Sequence, residues 1–228
     1  MNFRVICFLA CVGSTAILAQ DVLTVAPAGV AKVEYEDSQV RVLRFKEPPG
    51  TKLAMHSHPP YASVSLTDDV SQYTFPDGKT ADQKSKAGEA EFSKAVTHAS
   101  QNSNETISDA VLVELKTQPA GVVLTGPGDM VKANSEMCKV EVDNDYVRIT
   151  RVTVPAHGTL AMHRHPSENV VVYLTGGHLK TTTSGGQAQD TNIAPGTVRV
   201  NPAGEHSNEN LGDQTSEAVL IELKTAAK

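Results

Sequence analysis

Leu53-Ala54-Met55-His56-Ser57-His58-Pro59 is written a second time in this chain, as Leu160-Ala161-Met162-His163-Arg164-His165-Pro166. Ser108 to Thr117 likewise returns as Ser216 to Thr225, with conservative exchanges only at Asp109/Glu217 and Val113/Ile221. A third histidine keeps the register. His98 matches His206, and each is followed four residues later by an asparagine, Asn102 and Asn210. Six of the eight histidines therefore form two equivalent triads, His56, His58, His98 and His163, His165, His206. Clustered imidazoles most often bind metal, because neutral nitrogen donors suit divalent transition ions.

The spacing fits that chemistry. Histidines two residues apart on a strand share one face, and the intervening residue points to the other. Such a pair needs a third ligand from elsewhere, which closure of a β-sandwich or barrel can bring in. An isolated His-x-His pair is more often a solvated strand segment. Here, however, both triads persist while their surroundings diverge: the Tyr61 region faces Glu168-Asn169, and Phe92 to Thr97 faces Val200 to Glu205.

The duplication divides the chain. Arg4 followed by the mostly apolar run Val5 to Leu18 and by Ala19 reads as a signal peptide over residues 1–19, which implies a periplasmic or secreted protein. Two domains follow, 20–118 and 119–228, with Pro119-Ala120-Gly121 and Gly126-Pro127-Gly128 punctuating the junction. The approach segments are expected to match as Val22-Leu23-Thr24 with Val123-Leu124-Thr125. Loss of the leader removes Cys7 and Cys11, so Cys138 is the remaining thiol and no intramolecular disulfide can form. It also removes Arg4, taking the formal net charge of -6 one unit further negative. With no basic block there is no electrostatic case for nucleic acid, and with no Trp, stacking platforms are scarce. The leader is too short and too broken to favour a permanent membrane anchor. The expected partner is a small-molecule substrate or ligand, and a homo-oligomer is compatible with the sequence.

Local signals are those of β structure. Val40 to Phe45, Val147 to Val152, Val170 to Leu174, Thr197 to Val200 and Ala218 to Leu223 are β-rich runs of strand length. Asp77-Gly78 and Gly185-Gly186 mark turns after the Tyr73 to Phe75 and Leu179 to Thr183 strands. Lys84 to Ala95 is the sole, weak helix candidate. Short strands with Gly/Pro punctuation indicate a sandwich or small barrel.

At this point the residues resemble the cupin superfamily, and specifically a two-domain cupin. Gly196, Pro202, Gly204, His206 and Asn210 follow the second cupin motif with one residue missing before His206. Gly50 stands at the first motif's distance from His56, whereas His157 occupies that register in the second repeat. The resemblance implies an all-β fold of tandem double-stranded β-helix (jelly-roll) barrels. It also implies a divalent metal, Fe or Mn favoured with Zn or Ni as alternatives. The family's fourth ligand is a glutamate. Glu168 is the carboxylate nearest that position, as ligand or proton carrier, while Asn169 holds the position by its spacing to Gly176 and Tyr61 holds it in the first repeat. A site of three histidines completed by water is the other reading.

Three functions follow: a metal-dependent oxidoreductase or dioxygenase acting on a small molecule, a non-catalytic small-molecule or metal-binding protein, and a structural cupin with degenerate sites. The fold does not choose among them. His157 and His178 lack counterparts and read as surface imidazoles, Met55 and Met162 as core packing, and Cys138 as a non-catalytic thiol.

Overall fold

The β-branched runs become strands whose two faces do different work. The computed structural model describes residues 20–225; the expected leader, residues 1–19, lies outside the described residues. In the first half, β1 (Gln20–Asp21) leads into a single helical turn, α1 (Val22–Val25). There follow β2 (Ala31–Glu36), β3 (Val40–Glu47), β4 (Lys52–His58), β5 (Tyr61–Ser65) and β6 (Asp69–Thr74). The half closes with β7 (Thr80–Ser85), β8 (Ala90–Ser93), β9 (Val96–Asn102) and β10 (Ser108–Leu115). The second half opens with α2 (Met130–Ala133), β11 (Cys138–Asp143), β12 (Val147–Val154), β13 (Thr159–His165) and β14 (Asn169–Tyr173). It ends with β15 (Gly177–Thr183), β16 (Ala188–Ile193), β17 (Val198–Asn201), β18 (Gly204–Asn210) and β19 (Ser216–Leu223).

Each half is a pair of facing sheets. The first half has the orders β1-β4-β9-β6-β7 and β2-β3-β10-β5-β8, and the second has β13-β18-β15-β16 and β11-β12-β19-β14-β17. Among the described residues no sheet mixes strands from the two halves. The expected barrels are thus jelly-roll sandwiches whose sheets stay separate rather than closing into one hydrogen-bonded ring.

Strand alternation explains both the site and the packing of the halves. On β10, Ala110 and Leu112 line a cavity inside the first half, while Val111, Val113 and Leu115 point the other way. On β19, Ala218 and Leu220 line a second cavity, and Val219, Ile221 and Leu223 point outward. The two outward sets meet in one core shared with Val40, Val42, Val147, Ile149, Val170 and Val172. These strands read as almost unbroken apolar runs because they are covered on both faces. Ile221 is fully buried there, so truncation to alanine would cost about 2–5 kcal/mol. Two arginines in matching places clasp the junction reciprocally: Arg44 Nη1 donates to Gly196 O at 2.8 Å, and Arg151 Nη2 donates to Gly88 O at 2.5 Å.

Three sequence expectations need correction. Lys84 to Ala95 is not helical; it is the end of β7, a turn with Gly88 at φ 87°, and β8. The positive φ breaks any helix there. The approach segment Val22-Leu23-Thr24 does not correspond to Val123-Leu124-Thr125. Its partner is α2, because Asp21 caps α1 and Asp129 caps α2, each accepting from a backbone N–H two residues on. Met55 and Met162 are not core residues. They alternate to the outer face of their sheets, and Met162 is 45% exposed.

The turn before each His-x-His strand shows what the duplication demanded of the backbone. Gly50 sits at φ 75° and His157, in its register, at φ 57°. A left-handed turn was kept even where the glycine was lost. His157 and His178 lie on the surface beside Asp213 and Asp190, as expected of unpaired copies. Cys138 is buried, and burial pushes its thiol up to about 11, so it packs as an inert apolar group. Among the described residues no helix is long and apolar enough to cross a membrane.

Candidate metal centres

Both predicted triads assemble. The strand pairing places His56 opposite His98 across β4 and β9, and His163 opposite His206 across β13 and β18. In both pairs the register slips just before the first histidine, between Leu53 and His56 and between Leu160 and His163. This irregularity brings a backbone carbonyl onto the ring: His56 Nδ1 donates to Ala54 O at 2.7 Å, and His163 Nδ1 to Ala161 O at 2.8 Å. Each triad offers three ring nitrogens within 4.8 Å of one another.

The second histidine of each pair is held by a carboxylate. His58 Nδ1 donates to Glu114 Oε1 at 2.6 Å, and His165 Nδ1 donates to Glu222 Oε1 at 2.9 Å. Behind each glutamate stands an arginine: Arg41 Nε reaches Glu114 at 2.6 Å and Arg148 Nε reaches Glu222 at 2.7 Å. Behind each arginine stands the helix-capping aspartate, Asp21 at 2.7 Å and Asp129 at 2.8 Å. Carbonyl and carboxylate partners can only accept, so four Nδ1 atoms must carry hydrogen. That leaves the Nε2 lone pairs of His56, His58, His163 and His165 free for a cation.

The fit to a metal can be judged on these atoms. His56 Nε2 and His58 Nε2 lie 3.0 Å apart, close enough that the two atoms must share a proton or a cation. His163 Nε2 is buried without a hydrogen-bond partner. Burial, followed by the neighbouring imidazoles, holds His98 down to about 3 and His206 to about 4. Burial likewise takes His163 to about 4 and lowers His56. Neutral rings with aligned lone pairs are what a divalent ion requires.

Glu168 is not part of this arrangement. Its side chain lies against Asp37 of the first half, and burial together with that carboxylate pushes it up to about 7. It does not line the second cavity, whereas Asn169 does. The short two-residue spacing after His165 starts β14 at Asn169, so strand alternation turns residue 168 away. Asn169 pairs with Glu222 in register, just as Tyr61 pairs with Glu114, and its Oδ1 accepts from Asn201 at 3.1 Å. Asn102 and Asn210 are no ligands either. Their side-chain amides tie turns, donating to Glu47 O at 2.7 Å and to Pro155 O at 3.0 Å.

Comparison with solved structures places this architecture. A variant of oxalate decarboxylase from Bacillus subtilis matches 82% of this chain and 69% of its own with a TM-score of 0.58 and 15% identity. AerE from Microcystis aeruginosa matches 87% of this chain and 98% of its own, with a TM-score of 0.61 and 16% identity. This chain has the cupin fold. Another match, at TM-score 0.60 and 14% identity over 87% of this chain and 73% of the other, is the Bacillus subtilis oxalate decarboxylase studied for its Mn(II) centres. No family model matches the chain, and no curated protein does. At such identities the likeness speaks to the cupin fold alone; the case for metal rests on the nitrogens.

Sequence reading found all six histidines and missed the residues that aim two of them. Glu114 and Glu222 lay inside the repeated decapeptide, and Arg41 and Arg148 inside matching strand runs. The available signal was a carboxylate at an inward position of an otherwise apolar repeated strand. Such a group is buried only when paired.

Above each triad opens a cavity of about 330 Å³. The second is walled by Leu160, Val171 and Leu179, with Asn169, Thr181 and Asn208 as neutral polar groups and Arg199 as its cation. The guanidinium of Arg199 lies 6.0 Å over the Tyr173 ring, which steadies it.

Proposed function

We propose that this protein is an exported cupin that uses a divalent metal, Mn or Fe, to transform a small molecule in the second cavity, as an oxidoreductase of the dioxygenase type. The observation that carries this reading is the paired set of buried histidine triads with hydrogen-bonded Nδ1 atoms and free Nε2 lone pairs. A divalent ion there supplies Lewis acidity or redox chemistry while three protein ligands leave positions for substrate. His163, His165 and His206 hold the ion. Arg199 attracts an anionic group of the substrate, Asn169 and Asn208 orient it, and Leu160, Val171 and Leu179 keep water from the reacting end. Export is supported by Arg4 and the apolar run that follows it.

A second reading, a binding protein without turnover, is favoured by one observation. With Glu168 turned toward Asp37, no carboxylate joins the second triad as a ligand, and the cavity's carboxylate, Glu205, is exposed. Native purification, elemental analysis and an aerobic turnover screen with small carboxylates separate the two. Bound Mn or Fe with substrate consumption supports the enzyme. A stoichiometric ligand without turnover supports the binding protein, and absence of both metal and ligand defeats both.

A further inference from the structure

The two cavities share a scaffold and differ in charge: carboxylates alone supply the charged lining of the first, whereas Arg199 and the exposed Glu205 line the second. Glu91 faces Ser63 across β5 and β8, and Arg199 faces Val171 across β14 and β17, so these two residues occupy one structural position. Both line their cavities. At the other end of the first cavity, Glu47 lies opposite Ser108 in register, where the second half has Val154 opposite Ser216. Asp69 begins β6 where the second half has Gly177. The first cavity thus carries carboxylates at its mouth and its far end, and among the described residues no lysine or arginine lines it.

The far-end pair has no ionic partner among the described residues. Asp69 accepts hydrogen bonds from Ser71 at 3.2 Å and Ser108 at 2.5 Å, but neither serine brings charge. Glu47 is half-buried beside it. Burial and the Asp69 charge push Glu47 up to about 7, the signature of two carboxyls sharing a site that lacks a cation. From Asp69 to Tyr73 is about 13 Å of strand. The Tyr73 ring packs on His98 at 4.2 Å, and His98, only 3% exposed, keeps Nδ1 without a partner at the triad end. Between the ends the wall is polar, with Ser71 and Ser100 facing the space.

We propose that the first cavity binds a small organic cation, an amine with a polar chain, whose ammonium group sits between Glu47 and Asp69. This extends the metal-centre reading to the first half by giving its cavity a ligand of the opposite charge to the one Arg199 selects. The ammonium group donates to both carboxylates, Glu91 draws the cation to the mouth, and the serines hydrogen-bond its chain. A dicarboxylate is repelled from the same space.

The test is calorimetric titration of the full chain with bis(2-aminoethyl) ether, a diamine whose chain oxygen can accept from the serines, and, separately, with succinate, a dianion of similar length. The expected result is one diamine site per chain. Glu47→Gln with Asp69→Asn should weaken it at least about tenfold without changing succinate binding or metal content. If that double variant does not fold, Glu91→Gln, a change at an exposed position, should still weaken the diamine. Equal diamine affinity in the folded variants, or no diamine binding at millimolar concentration, overturns the proposal. So does Ca2+ binding that the double variant loses while the parent ignores the diamine, which would make the pair an inorganic cation site. Elemental analysis of the same samples keeps the readings apart. Metal retained with the diamine ignored defeats this inference alone, whereas triads without metal defeat the metal-centre reading.

Discussion

The first cavity and the second hold the same histidine triad and the same relay of glutamate, arginine and aspartate, yet beyond Leu53/Leu160 and the repeated Ser108/Ser216, Ala110/Ala218 and Leu112/Leu220 their walls differ. Glu91 stands where Arg199 stands, Tyr61 where Asn169 stands, and Glu47 and Asp69 where Val154 and Gly177 stand. The triads and their relays are present in duplicate, while much of the wall around them differs. The comparison teaches that the triad geometry is common to both halves, and the chemistry of the surrounding wall is private to each.

The relays also differ in depth. In the second half Asp129 and Arg148 are both buried; in the first, Asp21 leaves its side chain 42% exposed. Replacing Arg148 by Met strands Glu222 and Asp129 in the interior and should cost about 3–5 kcal/mol in urea unfolding. Arg41→Met should cost less, since Asp21 can turn to water. Equal losses would mean that depth does not set the strength of the relay. Glu114→Gln and Glu222→Gln should each reduce metal affinity about 10–100-fold at their own triad, read by competition with a chelator. A variant that weakens the opposite triad would break the independence of the halves.

A smaller effect is expected from exchanging the mouth charges. Glu91→Arg should admit succinate to the first cavity and Arg199→Glu should exclude it from the second, with a change of about tenfold or more each way in titration calorimetry. Unchanged preferences would locate specificity elsewhere. The smallest effect concerns Glu168. Its folded pKa, about 7, lies above the ordinary 4.5, so its contribution to stability is complete below pH 4.5 and lost as pH rises through 7. Glu168→Gln stays neutral, so its melting temperature should gain on the parent's between pH 5 and pH 8, with metal content unchanged. Loss of metal in this variant would return Glu168 to the site.

The histidines, the strands and the duplication were legible because repetition displays them directly. The His-x-His period of two fixed a shared face, and the matched third histidine fixed the closing strand. Glu168 misled because chemistry favoured a carboxylate, while the strand beginning at Asn169 decides which neighbour faces inward. Asp21 and Asp129 were hidden for another reason. Aligning Val22-Leu23-Thr24 with Val123-Leu124-Thr125 by likeness moved the first aspartate off its true counterpart, and only the caps and arginine contacts restore the pairing. Met162 shows the limit of hydrophobicity as a guide to burial, since its side chain is 45% exposed beside a buried histidine.

The central claim is that both triads are metal sites. Elemental analysis of the natively purified chain, with His98→Ala, His206→Ala and the double variant, tests it most directly. The account predicts two divalent ions per chain, one in either single variant and none in the double. Two ions surviving in the double variant, or none in a correctly folded parent supplied with Mn or Fe, would contradict it.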